Sequence, residues 1–396
     1  MSRVLIVVPP MTGHVNPTVS LGSELTRRGH AVAWVGQHDV VDKLLPDDAE
    51  FLAVGKELAE KVGPNYAPED RRGPEGFKFL WEDFLVPYAR ETAPEVRAHV
   101  QAFRPDGLVV DQQALAGAVV ARLEGVRWAT SATTSAELVD PFSRMPKIEE
   151  WITRQMVDLQ VGLGVSPTDA AKGDLRFSEE LVLAFTSEGL VGPLADHYPQ
   201  VRFVGPSIDQ RPEPMPFDWE WLDPSNPTVL VSLGTVSAAM GQRFFSVAIE
   251  ALSGKDLQAV FVVPDDVAAT LPPHGDNILV RRRVPQLALL EHVDAVVCHG
   301  GHNTVCEALA LGLPLVVAPV RDDHPLVADQ VVAAGAGLRV KFGRIRPQAL
   351  ADAVDAALHD PELRTGAARV KDSFDKAGGA PAAADAVEEL LCRATL

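Results

Sequence analysis

Cysteine is scarce in this chain: three residues in 396, at Cys298, Cys306 and Cys392. Three thiols cannot build a disulfide framework, and the odd count suits a reducing compartment. Long hydrophobic runs are missing too. The start, Met1-Ser-Arg-Val-Leu-Ile-Val-Val-Pro-Pro, holds five consecutive apolar residues before its first proline, too few for the core of a signal peptide. No run approaches the roughly 18 apolar residues of a membrane helix. A cytoplasmic protein without stable membrane insertion is expected. Basic residues are outnumbered, 36 against 54 acidic, for a formal charge of −18 and a pI near 5.0. That balance argues against a nucleic-acid partner or an anionic bilayer over a broad face, while a small buried phosphate site is compatible with it.

Several catalytic signatures are absent as well. Without Gly-x-Gly-x-x-Gly after a strand, or a Gly-Lys-Ser/Thr loop, dehydrogenase and P-loop chemistry have no support. Without Gly-x-Ser-x-Gly, neither has an acyl-enzyme hydrolase. No Cys-x-x-Cys or His-Glu-x-x-His marks a metal centre. There is also no Asp-x-Asp pair to hold a nucleotide through a metal.

What remains is a globular composition, 46% hydrophobic and 23% charged, which excludes wholesale disorder. At 396 residues, two or three domains of roughly 150 are expected. Val4-Leu-Ile-Val-Val8 reads as a strand buried on both faces of a parallel sheet. After a loop containing Gly13, Asn16 is placed to cap a helix whose first position is Pro17, and Gly29 to end it. Ala31-Val-Ala-Trp-Val35 then completes a βαβ unit. The pattern restarts at Thr228-Val-Leu-Val-Ser232, where Gly234 turns the chain, Arg243 to Leu252 have helical spacing and Ala259–Val263 is the next strand. Ile278–Val280, Ala295–Cys298 and Pro314–Ala318 continue the alternation. Between the two α/β halves, Pro206, Pro212, Pro214, Pro216, Pro224 and Pro227 crowd a stretch that helix and sheet interiors would not tolerate. The expected division is 1–205, a connector at 206–227, 228–375, and a terminal segment at 376–396 that is amphipathic through Ala384, Val387, Leu390 and Leu391.

His14 lies just beyond the first strand, where open α/β sheets place their ligands, and its ordinary pKa near 6.5 suits a base at neutral pH. A loop histidine bonded to a nearby carbonyl is the plainer alternative. Leu108-Val-Val-Asp111 ends another strand in a carboxylate, which can orient a histidine or simply cap the helix from Gln112 to Glu124. The strongest signal is His299-Gly300-Gly301-His302-Asn303-Thr304-Val305-Cys306-Glu307: a strand, a glycine pair and a helix start. Glycines let backbone N–H groups approach an anion, and the helix N-terminus favours negative charge. Asn303 and Thr304 add donors, and Glu307, one turn on, can accept ribose hydroxyls. A glycine turn that merely starts a helix, or a zinc site, are the other readings.

These residues resemble a family. Val284-Pro285-Gln286, His299-Gly-Gly-x-Asn-Thr with Glu307, Gly312-x-Pro314, Pro319 and Asp323-His324 are similar to the donor-binding box of UDP-glycosyltransferases, the inverting GT-B enzymes that include macrolide and other antibiotic glycosyltransferases. Gly13-His14-x-Asn16-Pro17 resembles their catalytic segment, and Ser232-Leu-Gly-Thr235 the opening of their second domain. The resemblance implies two Rossmann-like, doubly wound domains facing a cleft, with the last helix crossing back to the first. It implies His14 as general base, Asp111 as its partner, His299, Asn303, Thr304 and Thr235 around the diphosphate, and Gly13, Gly301 and His302 next to the donor. Arg283, Val284 and Gln286 would meet the base or ribose, Glu307 the ribose, and Asp323 with His324 the transferred sugar. Three positions depart from the family: Arg283 and His302 stand where tryptophan is frequent, and His324 where glutamine is common.

The implied reaction is inverting, metal-free transfer from a UDP- or TDP-sugar, a co-substrate and not a cofactor, to a hydroxyl of a small lipophilic acceptor. Phe77, Phe79, Trp81, Phe84 and Tyr88, with Met145, Ile148, Trp151, Ile152 and Met156, are candidate acceptor residues or core. A nucleotide-sugar epimerase of the same architecture and a non-catalytic transferase helper are the competing functions.

Overall fold

Unbroken apolar runs bury both of their faces only inside a parallel sheet with helices on either side. The computed structural model, which describes residues 1–56, 74–139, 145–194, 198–208 and 215–392, forms two such sheets. In the first are β1 (Arg3–Val7), β2 (Ala31–Gln37), β3 (Glu50–Val54), β4 (Gly107–Asp111), β5 (Trp128–Ala132), β6 (Val182–Ala184) and β7 (Val201–Phe203). In the second are β8 (Thr228–Ser232), β9 (Gln258–Val262), β10 (Ile278–Arg281), β11 (Ala295–Cys298), β12 (Leu315–Val317) and β13 (Gly337–Arg339). The strand orders are β3-β2-β1-β4-β5-β6-β7 and β10-β9-β8-β11-β12-β13. Every pairing among them is parallel.

Side chains alternate across each strand, so each sheet carries two cores. From β1, Val4 and Ile6 join the helix Thr12–Arg27, while Leu5 and Val7 join Trp81, Phe84 and Tyr88. From β8, Val229 and Val231 lie among Phe244, Phe245 and Phe261, and Leu230 lies opposite among Leu309 and Val327. In each sheet the order of connection reverses once, at β1/β4 and at β8/β11. Such a switch point opens a crevice beyond the carboxyl ends of the two strands. Among the described residues no helix is long and apolar enough to cross a membrane.

One sequence expectation is corrected. The first helix begins at Thr12 behind Met11, and both Asn16 and Pro17 lie inside it. Pro17 has no N–H to offer the Gly13 carbonyl one turn earlier. That carbonyl instead accepts Nδ2 of Asn303, from the second half, at 2.8 Å. The missing helical bond is made across the two halves.

The last helix, Gly379–Cys392, returns to the first half. Its Ala383, Ala384, Val387 and Leu390 enter the core beside the first helix. The crossing is tied by Gly379 N–H to the Val204 carbonyl at 2.7 Å. Ion pairs fasten the rim: Arg28 reaches Asp385 at 2.6 Å and Glu388 at 2.7 Å, and His30 meets Glu388 at 2.8 Å. Glu24 holds Arg27 and Arg28 at 2.7 and 2.8 Å. The bond from Arg27, then Arg28, outweighs burial and lowers the Glu24 carboxyl from 4.5 to about 2. A depressed carboxyl stabilises the fold above its unfolded value and loses that contribution as pH falls through the folded one. Thermal midpoints should therefore drop between about pH 4.5 and 2 more steeply in the wild type than in Glu24→Gln. Parallel acid limbs in the two proteins would refute the clasp.

Candidate active site between the halves

His14 lies in the first turn after β1, and Asp111 is the last residue of β4, its parallel neighbour. Aligned carboxyl ends bring the side chains together: His14 Nδ1–H donates to Oδ1 and Oδ2 of Asp111 at 2.9 and 3.0 Å. Carboxylate oxygens only accept, so the ring proton belongs on Nδ1 and the neutral ring keeps its lone pair on Nε2. Asp111 is buried, and also accepts the Gln113 N–H at 2.8 Å and the Thr133 hydroxyl at 2.9 Å. It does not cap the next helix, which starts at Leu115 behind Ala114 without a side-chain cap. Burial opposes the imidazolium of His14, but Asp111, with Asp323 and Glu137 behind it, holds the ring above the usual 6.5. The arrangement is that of an oriented base.

The second switch point carries His299, directly after β11. A Cβ on Gly301 would stand 2.3 Å from its Nε2, and one on Gly234 2.6 Å from its Cε1, so the ring needs both glycines. Burial, then the ring of His324 edge-on at 4.7 Å, keeps His299 well below the ordinary histidine pKa and therefore neutral. The helix His302–Ala310 follows Gly301 with no side chain capping it. Its first N–H groups are thus available, and its N-terminus favours an anion by about 0.3–1 kcal/mol. Asn303 and Thr304 occupy this turn. Glu307 accepts Nε2 of Gln286 at 2.5 Å, joining two residues assigned to one ligand region. Val284 packs partly buried against the core, whereas Arg283 is exposed. Thr235 belongs to the turn Gly234–Ser237, and its side chain lies outside the described residues.

Three consecutive hydroxyls follow β5, and the last two of them join the halves. Thr133 Oγ1 donates to Asp111 and lies 2.8 Å from Nδ1 of His14. The Thr134 hydroxyl donates to Oδ2 of Asp323 at 2.5 Å, and Ser135 to Oε1 of Gln330 at 2.6 Å. His302 is buried at this seam, with Nδ1 3.3 Å from Ser135 Oγ and Nε2 3.4 Å from the Phe185 carbonyl. His324 is buried as well, and its Nδ1 accepts the Arg321 N–H at 3.3 Å. The structure thus brings together His14, Asp111 and Gly13 from one half with Asn303 and Asp323 from the other.

A sequence profile described as Erythromycin biosynthesis protein CIII-like, C-terminal domain, matches residues 247–391. The 4'-demethylrebeccamycin synthase of Lentzea aerocolonigenes is 30% identical over 428 residues, spanning 98% of this chain and 100% of its own. The chain belongs to the GT-B glycosyltransferases of antibiotic biosynthesis. Demethyllactenocin mycarosyltransferase of Streptomyces fradiae is 26% identical to this glycosyltransferase, across 99% of it and 87% of the relative. The crystal structure of the glycotransferase of kitacinnamycin matches it with a TM-score of 0.79 at 25% identity, covering 98% of this chain and 99% of the other.

Several residues of the glycosyltransferase site were not visible in its sequence. Thr133, Thr134 and Ser135 gave no signal there, since hydroxyls are common after a strand. Glu137 and Arg176 gave no signal either. They pair at 3.1 Å, and the Arg176 guanidinium lies 5.9 Å from the Trp81 ring and 5.6 Å from that of Phe177. Burial raises the Glu137 carboxyl even against the pull of Arg176. Of the candidate acceptor residues, Trp81, Phe84, Tyr88, Ile152 and Met156 are buried core. Phe77, Ile148 and Trp151 pack at its margin, Phe79 is half-buried and Met145 is exposed.

Proposed function

We propose that this glycosyltransferase moves a sugar from a UDP- or TDP-sugar to a hydroxyl of a small lipophilic acceptor (a natural product, polyketide or aromatic), inverting the anomeric centre without a metal. One observation carries the reading: an oriented histidine base stands beside an uncapped helix start, the two linked by the Asn303 to Gly13 hydrogen bond. The name demethyllactenocin mycarosyltransferase, which pairs a sugar with such an acceptor, supports the substrate class. The cytoplasm is the proposed site of action.

The reaction would be a single displacement. The acceptor oxygen bonds to the anomeric carbon as the bond to the diphosphate breaks, and that electron pair leaves with the diphosphate. The acceptor proton passes to Nε2 of His14, a contribution of typically about 10²–10⁴-fold. Asp111 would stabilise the resulting imidazolium. Attack opposite the leaving group inverts configuration. Thr235, His299, Asn303 and Thr304 would hold the diphosphate, whose developing charge the helix N-terminus would meet, with Gly13 and Gly301 bordering the donor. Arg283, Val284 and Gln286 would border the base, Glu307 the ribose, and His302, Asp323 and His324 the sugar.

A panel of UDP- and TDP-sugars with lipophilic alcohols, read by mass spectrometry and by the anomeric configuration of the product, tests the reaction. Retained configuration would overturn it, as would EDTA abolishing transfer and magnesium restoring it. The donor site has its own check. Replacing Asn303 and Thr304 together by alanine should weaken UDP and TDP binding at least tenfold, on the order of two lost hydrogen bonds, in a protein that still folds but with a lower thermal midpoint, since the Gly13 carbonyl loses its partner. Unchanged affinities by calorimetry would reject the assigned diphosphate site.

A further inference from the structure

Where the connector leaves the first half, a narrow cleft lies between it and the helix His302–Ala310. Phe185, Pro206 and Ile208 give it apolar walls, and Asn303 and Glu307 line it from the helix. Ser207 lines it from the connector. This serine is only 5% exposed, and its Oγ is buried without a hydrogen-bond partner. A buried hydroxyl left unpaired is costly, and native folds seldom keep one without reason. Its connector neighbours Pro206 and Ile208 offer no side-chain partner. The polar side chains of the cleft belong to the residues proposed to hold the donor.

We infer that Ser207 is a donor contact, its hydroxyl bonding a furanose hydroxyl of the nucleoside diphosphate. The inference rests on the proposed assignment of Glu307 to the ribose. As it stands the cleft admits about one water, so a five-membered sugar ring would enter only as its walls part. That ring would lie between Ser207 and Glu307, its C–H edge against the prolyl and isoleucyl walls. The nucleotide would then touch the connector as well as the second half, and Ser207 would read the hydroxyl pattern of the donor's pentose.

The test is a double-mutant cycle by calorimetry: wild type and Ser207→Ala, each titrated with UDP, 2′-deoxy-UDP and 3′-deoxy-UDP. Ser207→Ala should weaken UDP about tenfold, a change of about 1.4 kcal/mol, without lowering the thermal midpoint. In the variant, the change in affinity caused by removing one of the two furanose hydroxyls should vanish. Unchanged UDP affinity, or the same effect of both deoxy substitutions in both proteins, would overturn the contact. Glu307→Gln separates the two levels. If it binds UDP as the wild type does, the ribose assignment itself fails; if it binds weakly while Ser207→Ala is neutral, only the Ser207 contact fails.

Discussion

His14→Ala is expected to lower turnover about 10²-fold or more at saturating donor and acceptor, with UDP or TDP affinity close to wild type. The separation follows from position. His14 projects from the first half and would act only on the acceptor proton, while the proposed diphosphate ligands surround the helix His302–Ala310 in the other. A histidine that merely braced Asp111 would behave differently, lowering the thermal midpoint and sparing turnover per folded molecule. The deciding number is the transfer rate of folded His14→Ala. If it equals that of the wild type, the base has been misassigned.

Asp111→Asn should cost a comparable factor, about 10²-fold, and should also move the pH profile. Transfer needs unprotonated Nε2, so the wild-type rate should rise with pH through the His14 pKa, which lies above 6.5, and then level off. Asp111 is the foremost partner raising that value. Without its charge, burial dominates and the inflection should fall to lower pH. The surviving rate would stay low because an asparagine amide can turn its N–H₂ toward Nδ1 and favour the wrong tautomer. An inflection that remains in place in Asp111→Asn would mean that the carboxylate does not govern the ring.

The alternating architecture was legible because parallel strands buried on both faces are unbroken apolar runs, as in Val4–Val8 and Thr228–Ser232. Strand ends were legible too, and with them His14, Asp111 and His299. Strand order was not. Nothing in the local pattern says that β4, and not β3, lies beside β1, so the residues alone left the contact of His14 with Asp111 as one of two readings. The start of the first helix was misread for a related reason. Proline is favoured at a helix's first position, but Pro17 sits inside, where the Gly13 carbonyl it leaves unpaired is met by Asn303, 290 residues from Gly13. The Thr133–Ser135 run was missed because its partners, Asp111, Asp323 and Gln330, belong to three separate segments.

The returning C-terminal helix also sets where this enzyme can be recombined with a relative. Its sequence places the helix after the second sheet, but its apolar face and its ion pairs belong with the first. A chimera joined once, at the connector, would import a foreign 379–392 against resident Glu24, Arg28 and His30. Asp385, Glu388 and the small residues Ala383 and Ala384 would then be matched only by chance. A graft with two junctions, one before β8 and one at the Gly378–Gly379 crossing, moves the second half as an internal cassette and leaves the clasp native. Exchanging the second half is thus a loop-to-loop insertion problem, with the first strand and the last helix both kept by the first half.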